Sequence, residues 1–178
     1  MNFPNFLTLL RIALAPVLFS LLVYDFEINA QIPKLALIIF TTAIFTDVLD
    51  GFFARFWNQQ TYLGAFLDPL ADKILIVTAF LGIVLTRQPI SQPPLWLTGL
   101  IFLRELVILC GFFTFFWLKR QADFSPNRLG KITAACQMAL IAGCLVNFDN
   151  LPVLGMIVAA LTMVSCVVYT WRGIKKLV

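Results

Sequence analysis

The sequence predicts an all-α integral membrane protein of six transmembrane helices, with both termini in the cytoplasm. Three observations carry that prediction. Hydrophobic residues make up 61% of the chain and charged residues 12%, against about 45–50% and about 25% in a soluble globular domain, and the mean hydropathy is +0.93. The apolar residues gather into six runs, each near the roughly 20 residues that a spanning helix requires. The basic residues cluster at one set of run ends, the pattern of cytoplasmic loops.

Taken in order, the runs cover 6–24, 35–56, 62–86, 95–118, 129–147 and 151–171. The first is read as a retained span and not as a cleaved leader, because it lacks a basic start and carries Arg11 inside its apolar stretch. Pro16 within it is read as a tolerated kink. The breaks between runs hold the turn formers and charges: DFEINAQIP, NQQ, RQPISQPP, KRQADFSPNR, FDN and the tail RGIKKLV. Arg55, Lys119, Arg120, Arg128, Lys131, Arg172, Lys175 and Lys176 lie on the side assigned to the cytoplasm, and only Lys34 and Arg87 on the other. No linker divides the 178 residues, so one domain is expected over 1–178. Each cysteine, Cys110, Cys136, Cys144 and Cys166, falls in an apolar run and is read as a small buried hydrophobe.

Against this background, four of the nine acidic residues crowd into DVLDGFFARFWNQQTYLGAFLDPLAD, residues 47–72. Asp47 and Asp50 stand three apart near the end of the second run, and Asp68 and Asp72 four apart early in the third. Residues at those spacings share a helix face. A tight turn around Asn58 to Thr61 would pair the two helices and bring four carboxylates together. Bare charges there would cost several kcal/mol each. Two divalent cations would neutralise them, and an all-oxygen ligand set in a chain without histidine favours Mg²⁺ or Mn²⁺. Gly51, Ala54 and Gly64 would allow close approach of a ligand or backbone, and Arg55 offers a fork for phosphate oxygens. Without histidine, proton transfer falls to a carboxylate, lysine, tyrosine or water.

The arrangement Asp47-x-x-Asp50-Gly51-x-x-Ala54-Arg55, then eight residues, then Gly64-x-x-x-Asp68-x-x-x-Asp72 resembles the signature of the CDP-alcohol phosphatidyltransferase family. The likeness extends over nearly the whole chain. It includes the opening PNFLTLLRIALAP, Arg104-Glu105, and GKITAACQ from Gly130 to Gln137. The resemblance implies that Asp47, Asp50, Asp68 and Asp72 bind two metal ions and that Asp72 is also the general base. It implies that Asn5, Thr8, Asp47, Gly51, Ala54, Arg55 and Gly64 bind CDP-diacylglycerol, with Arg11 beside the nucleotide pocket. The reaction it implies is phosphatidyl transfer to an alcohol with release of CMP, by a homodimer contacting membrane lipids and no nucleic acid; the asymmetry of basic residues turns the site toward the cytoplasm, and the expected setting is a bacterial inner (cytoplasmic) membrane.

The acceptor is the open point. Members that use glycerol 3-phosphate typically carry cations where this chain has Thr133 and Phe112. RELVILCG, Arg104 to Gly111, and the tail YTWRGIKKL, Tyr169 to Leu177, resemble the cardiolipin-synthase branch, whose acceptor is phosphatidylglycerol. Phosphatidylglycerol is therefore the expected acceptor and glycerol 3-phosphate the alternative, with Arg104, Arg128 and Lys131 as acceptor-side cations. For Arg104 a purely structural role, pairing with Glu105 or Asp123, competes with that assignment. A cation or proton carrier is the rival from another class, but it predicts acids spread through the membrane's depth.

Overall fold

The computed structural model describes residues 3–24, 31–56, 62–117 and 128–177, with side chains described for 9–24, 31–46, 70–114, 129–171 and 173. The described residues form six α-helices: α1 (Phe3–Val23), α2 (Gln31–Phe56), α3 (Tyr62–Leu85), α4 (Leu95–Trp117), α5 (Arg128–Leu145) and α6 (Leu151–Leu177). Four of the six match the expected runs to within three residues at either end, and the largest differences fall at the start of α2 and the end of α6. Helix α2 begins at Gln31, inside the expected break, because Pro33 sits in its first turn, where the missing N–H costs no hydrogen bond. Helix α6 runs on to Leu177, six residues past the apolar run, since RGIKKL contains only one poor helix former. Helix α1 continues unbroken past Pro16.

Local chemistry sets the ends. Leu97 and Thr98 donate their N–H groups to the Pro94 carbonyl at the start of α4, and Val153 and Leu154 do the same to Asn150 at the start of α6. Helix α5 stops two residues before the expected 147. Phe148 N–H bonds the Gly143 carbonyl at 2.9 Å and Asn147 N–H the Cys144 carbonyl at 3.2 Å, with Asn147 at φ 55°. That is a Schellman stop with asparagine in the left-handed position. The same Asn147 side chain accepts from Ser91 N–H at 2.6 Å and donates to the Pro89 carbonyl at 2.9 Å, so one residue ends a helix and fastens the α3–α4 loop.

The chain divides into two compact units, one of residues 1–92 with 141–148, the other of 93–140 with 149–178. In the first, α1 packs on both α2 and α3. Its buried stripe of Arg11, Ala15, Leu18 and Leu22 follows the i, i+4, i+7, i+11 spacing of one helix face. The α3 side of the seam contributes Ala71, Leu75, Ala79 and Ile83. Arg11 meets Asp72, Leu22 lies against Gly82, and Thr86 Oγ1 donates to the Leu22 carbonyl at 2.6 Å. Numbers rise together on both helices, so α1 and α3 run parallel.

In the second unit α4 and α6 also run parallel, with Leu97 against Gly155 and Tyr169 against Gly111. Besides Leu151 and Val158 the buried residues of α6 are small or polar (Gly155, Ala159, Thr162, Ser165), whereas Val153, Met156, Met163, Val167 and Trp171 are exposed. Small residues inside and bulky apolar ones outside is the packing of helices in lipid. Leu95–Thr114 and Leu151–Trp171 are both long and apolar enough to cross a membrane. The cysteine expectation holds for Cys144, which is buried, and fails for Cys110, which is exposed. Cys110 shares one face of α4 with the exposed Leu103, Leu106 and Phe113, a stripe that turns outward.

Candidate active site

Helix α2 carries Asp47, Asp50, Gly51, Ala54 and Arg55 in its last turns, and the first half of α3 carries Gly64, Asp68 and Asp72. Asn5 and Thr8 lie in the first turns of α1. Helical backbone at all these positions makes Asp47 and Asp50 neighbours on α2, and Asp68 and Asp72 neighbours on α3. The side chains of Asn5, Thr8, Asp47, Asp50, Ala54, Arg55 and Asp68, the glycines 51 and 64, and the expected turn at 58–61 lie outside the described side chains or residues. The expected meeting of four carboxylates therefore rests on positions along the two helices. Among the described residues no group of three or more histidine, cysteine or acidic side chains could hold a metal.

Asp72 is the member of the quartet whose side chain is described, and it fits a hard cation in two respects. It offers carboxylate oxygens, and its side chain keeps 36% of its surface accessible, so an incoming ion or substrate can reach it. Behind it stands Arg11, 1% exposed, with Nη1 donating to Oδ1 at 2.6 Å. The bond is short and charge-assisted. Sequence reasoning set Arg11 beside the nucleotide and missed this pairing. The signal was present in the stripe of Arg11, Ala15, Leu18 and Leu22, which points the arginine at whatever covers the buried face of α1.

The second unit holds another buried arginine. Arg104 on α4 is 2% exposed and donates to the carboxylate of Glu105, itself 1% exposed. Its Nη2 reaches the Gly130 carbonyl of α5 at 3.3 Å and Ser165 Oγ of α6 at 3.4 Å, and its Nη1 reaches Gln137 Oε1 at 3.5 Å. Thus one guanidinium ties three helices together. Arg104 Nε, Gln137 Nε2 and Thr162 Oγ1 are buried nearby without a hydrogen-bond partner. Thr133, which occupies an expected cation position, is buried and bonds the Leu129 carbonyl at 2.8 Å. Phe112 packs edge-on against Phe113. Lys131 is exposed on α5, and the Arg128 side chain is outside those described. The roles of Ser165 and Thr162 were not read from the sequence, since single hydroxyls in an apolar run carry no spacing signal.

Curated relatives named CDP-diacylglycerol--glycerol-3-phosphate 3-phosphatidyltransferase, from Salmonella choleraesuis (strain SC-B67), Escherichia coli (strain K12) and Shigella boydii serotype 4 (strain Sb227), are each 35% identical over 144 residues, covering 79% of this chain and 75% of the relative. The family whose description is CDP-alcohol phosphatidyltransferase matches residues 1–171, a span that contains both arginine–carboxylate pairs and the whole aspartate signature. The chain therefore belongs to the CDP-alcohol phosphatidyltransferase family, and it is a phosphatidyltransferase of phospholipid biosynthesis.

Proposed function

We propose that the protein transfers the phosphatidyl group of CDP-diacylglycerol to glycerol 3-phosphate, releasing CMP. The observation that carries the chemistry is the Asp72 carboxylate, accessible on one side and gripped by a buried arginine on the other. The acceptor follows the relatives, whose names specify glycerol 3-phosphate. On that support the expected acceptor, phosphatidylglycerol, gives way to the alternative, and cardiolipin synthesis becomes an outcome to be tested.

In this reading Asp72 removes the proton from the acceptor hydroxyl, the hydroxyl oxygen bonds to the lipid-bearing phosphorus, and the bond from that phosphorus to the CMP oxygen breaks. Two divalent ions, Mg²⁺ or Mn²⁺, held by Asp47, Asp50, Asp68 and Asp72, supply charge neutralisation at the diphosphate when bound. Arg55 stabilises the charge that accumulates on the transferred phosphate. Gly51, Ala54 and Gly64 let the donor approach the helices, and Asn5 and Thr8 contact its nucleotide end. For the acceptor phosphate we assign Lys131 and Arg128 as the cations, with Arg104 holding the Gly130 carbonyl one residue from Lys131.

The six helices are assigned as six spans of a single domain with cytoplasmic termini, in a bacterial inner membrane, and as a homodimer. Helix arithmetic supports a site near one surface. At a rise of about 1.5 Å per residue, Asp72 and Asp68 lie roughly 20 and 26 Å from the Leu85 end of α3, and Asp47 and Asp50 roughly 24 and 28 Å from the Gln31 end of α2. In a hydrocarbon layer of about 30 Å, all four then fall in the last third before the surface opposite Lys34 and Arg87. Two acyl chains stay in lipid while the cytidine stays wet.

The test offers the purified chain, in detergent with Mg²⁺ or Mn²⁺, labelled CDP-diacylglycerol and either acceptor. Phosphatidylglycerophosphate is the expected lipid product. Cardiolipin formed in its place restores the other acceptor, and no CMP from either acceptor removes the enzymatic reading.

A further inference from the structure

The signature aspartates lie on α2 and α3, yet the charge that meets Asp72 comes from α1. Arg11 sits on the buried stripe of that helix, on the face shared by Ala15, Leu18 and Leu22. A guanidinium there is expensive, and apolar residues of similar size in place of a buried ion pair are often neutral or stabilising. Packing alone therefore does not account for an arginine at this position. Its geometry does suggest a task. The planar fork is pre-organised, so it holds a carboxylate in one orientation with less loss of freedom than a lysine. The seam that carries it is also locked against sliding, because Leu22 is wedged against Gly82, where an added Cβ would stand 2.9 Å from Leu22 Cδ1, and the Leu22 carbonyl accepts from Thr86. Arg11 and Leu22 are about 16 Å apart along α1, so the two ends of the seam fix its register. Arg11 then grips Asp72 from behind while the carboxylate keeps its accessible side.

We infer that Arg11 is a positioning residue: it holds the Asp72 carboxylate in the orientation from which it reaches the acceptor hydroxyl, acting through Asp72 and not on the substrate. The inference rests on the reading of Asp72 as the base. Misplacing a reacting group by about an ångström costs on the order of a hundredfold in rate, so the effect belongs in kcat and not in KM.

The test uses full-length R11M, R11K, D72N and the double variant R11M/D72N. CMP release from CDP-diacylglycerol is followed with glycerol 3-phosphate, together with whichever acceptor the wild type accepts. For R11M, kcat is expected to fall about 10- to 100-fold with both KM values within about threefold, and R11K to recover part of the loss. In EDTA, with no turnover, the thermal midpoints should be non-additive, the double variant falling by less than the sum of the single ones. If R11M does not stay folded, R11K decides, with a kcat reduced at least about threefold expected. Wild-type kcat in R11K and R11M, a KM for the donor raised tenfold at unchanged kcat, or additive midpoints each overturn the inference while leaving Asp72 as base. Substantial turnover by D72N removes the base itself, and the inference with it.

Discussion

Among the described residues two arginine–carboxylate pairs lie in largely apolar helices, and they are built differently. In the α1–α3 pair the cation is sealed at 1% exposure and the carboxylate is open at 36%. In the α4 pair both partners are sealed, at 2% and 1%, and the guanidinium continues into α5 and α6. The same two functional groups thus make a half-open and a closed arrangement. An open carboxylate can exchange partners with an ion or a hydroxyl at small cost. A closed one cannot, because any departure leaves a charge buried. The contrast supports the proposed role of Asp72 in the chemistry and fits a helix-registering role for Arg104 and Glu105.

Replacing the open carboxylate should give the largest effect. In the proposed mechanism D72N removes both the proton acceptor and one metal ligand, and loss of the general base alone is worth about 10²–10⁴ in rate. We expect at least a thousandfold fall in CMP release with an unchanged elution profile. Chelation by EDTA should abolish activity in the wild type as well, and added Mg²⁺ or Mn²⁺ should restore it. D72N that turns over at a tenth of the wild-type rate would make the two pairs equivalent and dissolve the comparison.

Breaking the closed pair should act on stability first. R104M leaves Glu105 buried without its guanidinium, a change worth about 3–5 kcal/mol, read as the unfolding midpoint in graded mixtures of dodecyl sulfate and a mild detergent. R104M/E105Q should recover much of that loss, because removing both charges removes the desolvation problem. R11M should shift the same midpoint less, since its partner Asp72 is already over a third exposed and solvent screens what remains. If R104M keeps its midpoint and instead raises the KM for the acceptor, Arg104 is an acceptor contact after all.

How far this was legible in the sequence differs between the two regions. The aspartates announced themselves because charge is rare here and their spacing of three and four survives any packing. The helices were legible for the same reason, through long runs of apolar residues. What failed were features that depend on a second helix or on a surface. Spacing could not say which carboxylate Arg11 would meet, and composition could not say that Cys110 faces outward. Arg104 was legible only as a choice between pairing with Glu105 and holding an acceptor, and the ion pair is what the described residues contain. The expected run 151–171 coincides with the stretch of α6 that is long and apolar enough to cross a membrane, Leu151–Trp171, while the helix itself continues to Leu177, because apolarity marks where a helix can cross lipid and not where it stops.

A smaller effect should come from the close approach of α4 and α6 beside the closed pair. A Cβ on Gly111 would stand 2.9 Å from both Cε1 and the hydroxyl oxygen of Tyr169, so G111A has to move the ring. Overpacking of that kind costs about 1–3 kcal/mol. Because Tyr169 donates its hydroxyl to the Ile108 carbonyl at 3.3 Å, part of the cost is that bond, and Y169F isolates it at about 0.5–1.5 kcal/mol. Both variants should lower the unfolding midpoint in that order and leave the KM for CDP-diacylglycerol unchanged, since neither residue belongs to the seam that holds Asp72. A raised donor KM in Y169F at an unaltered midpoint would mean that the closed region also touches the substrate, and the division of labour between the two arginines would have to be redrawn.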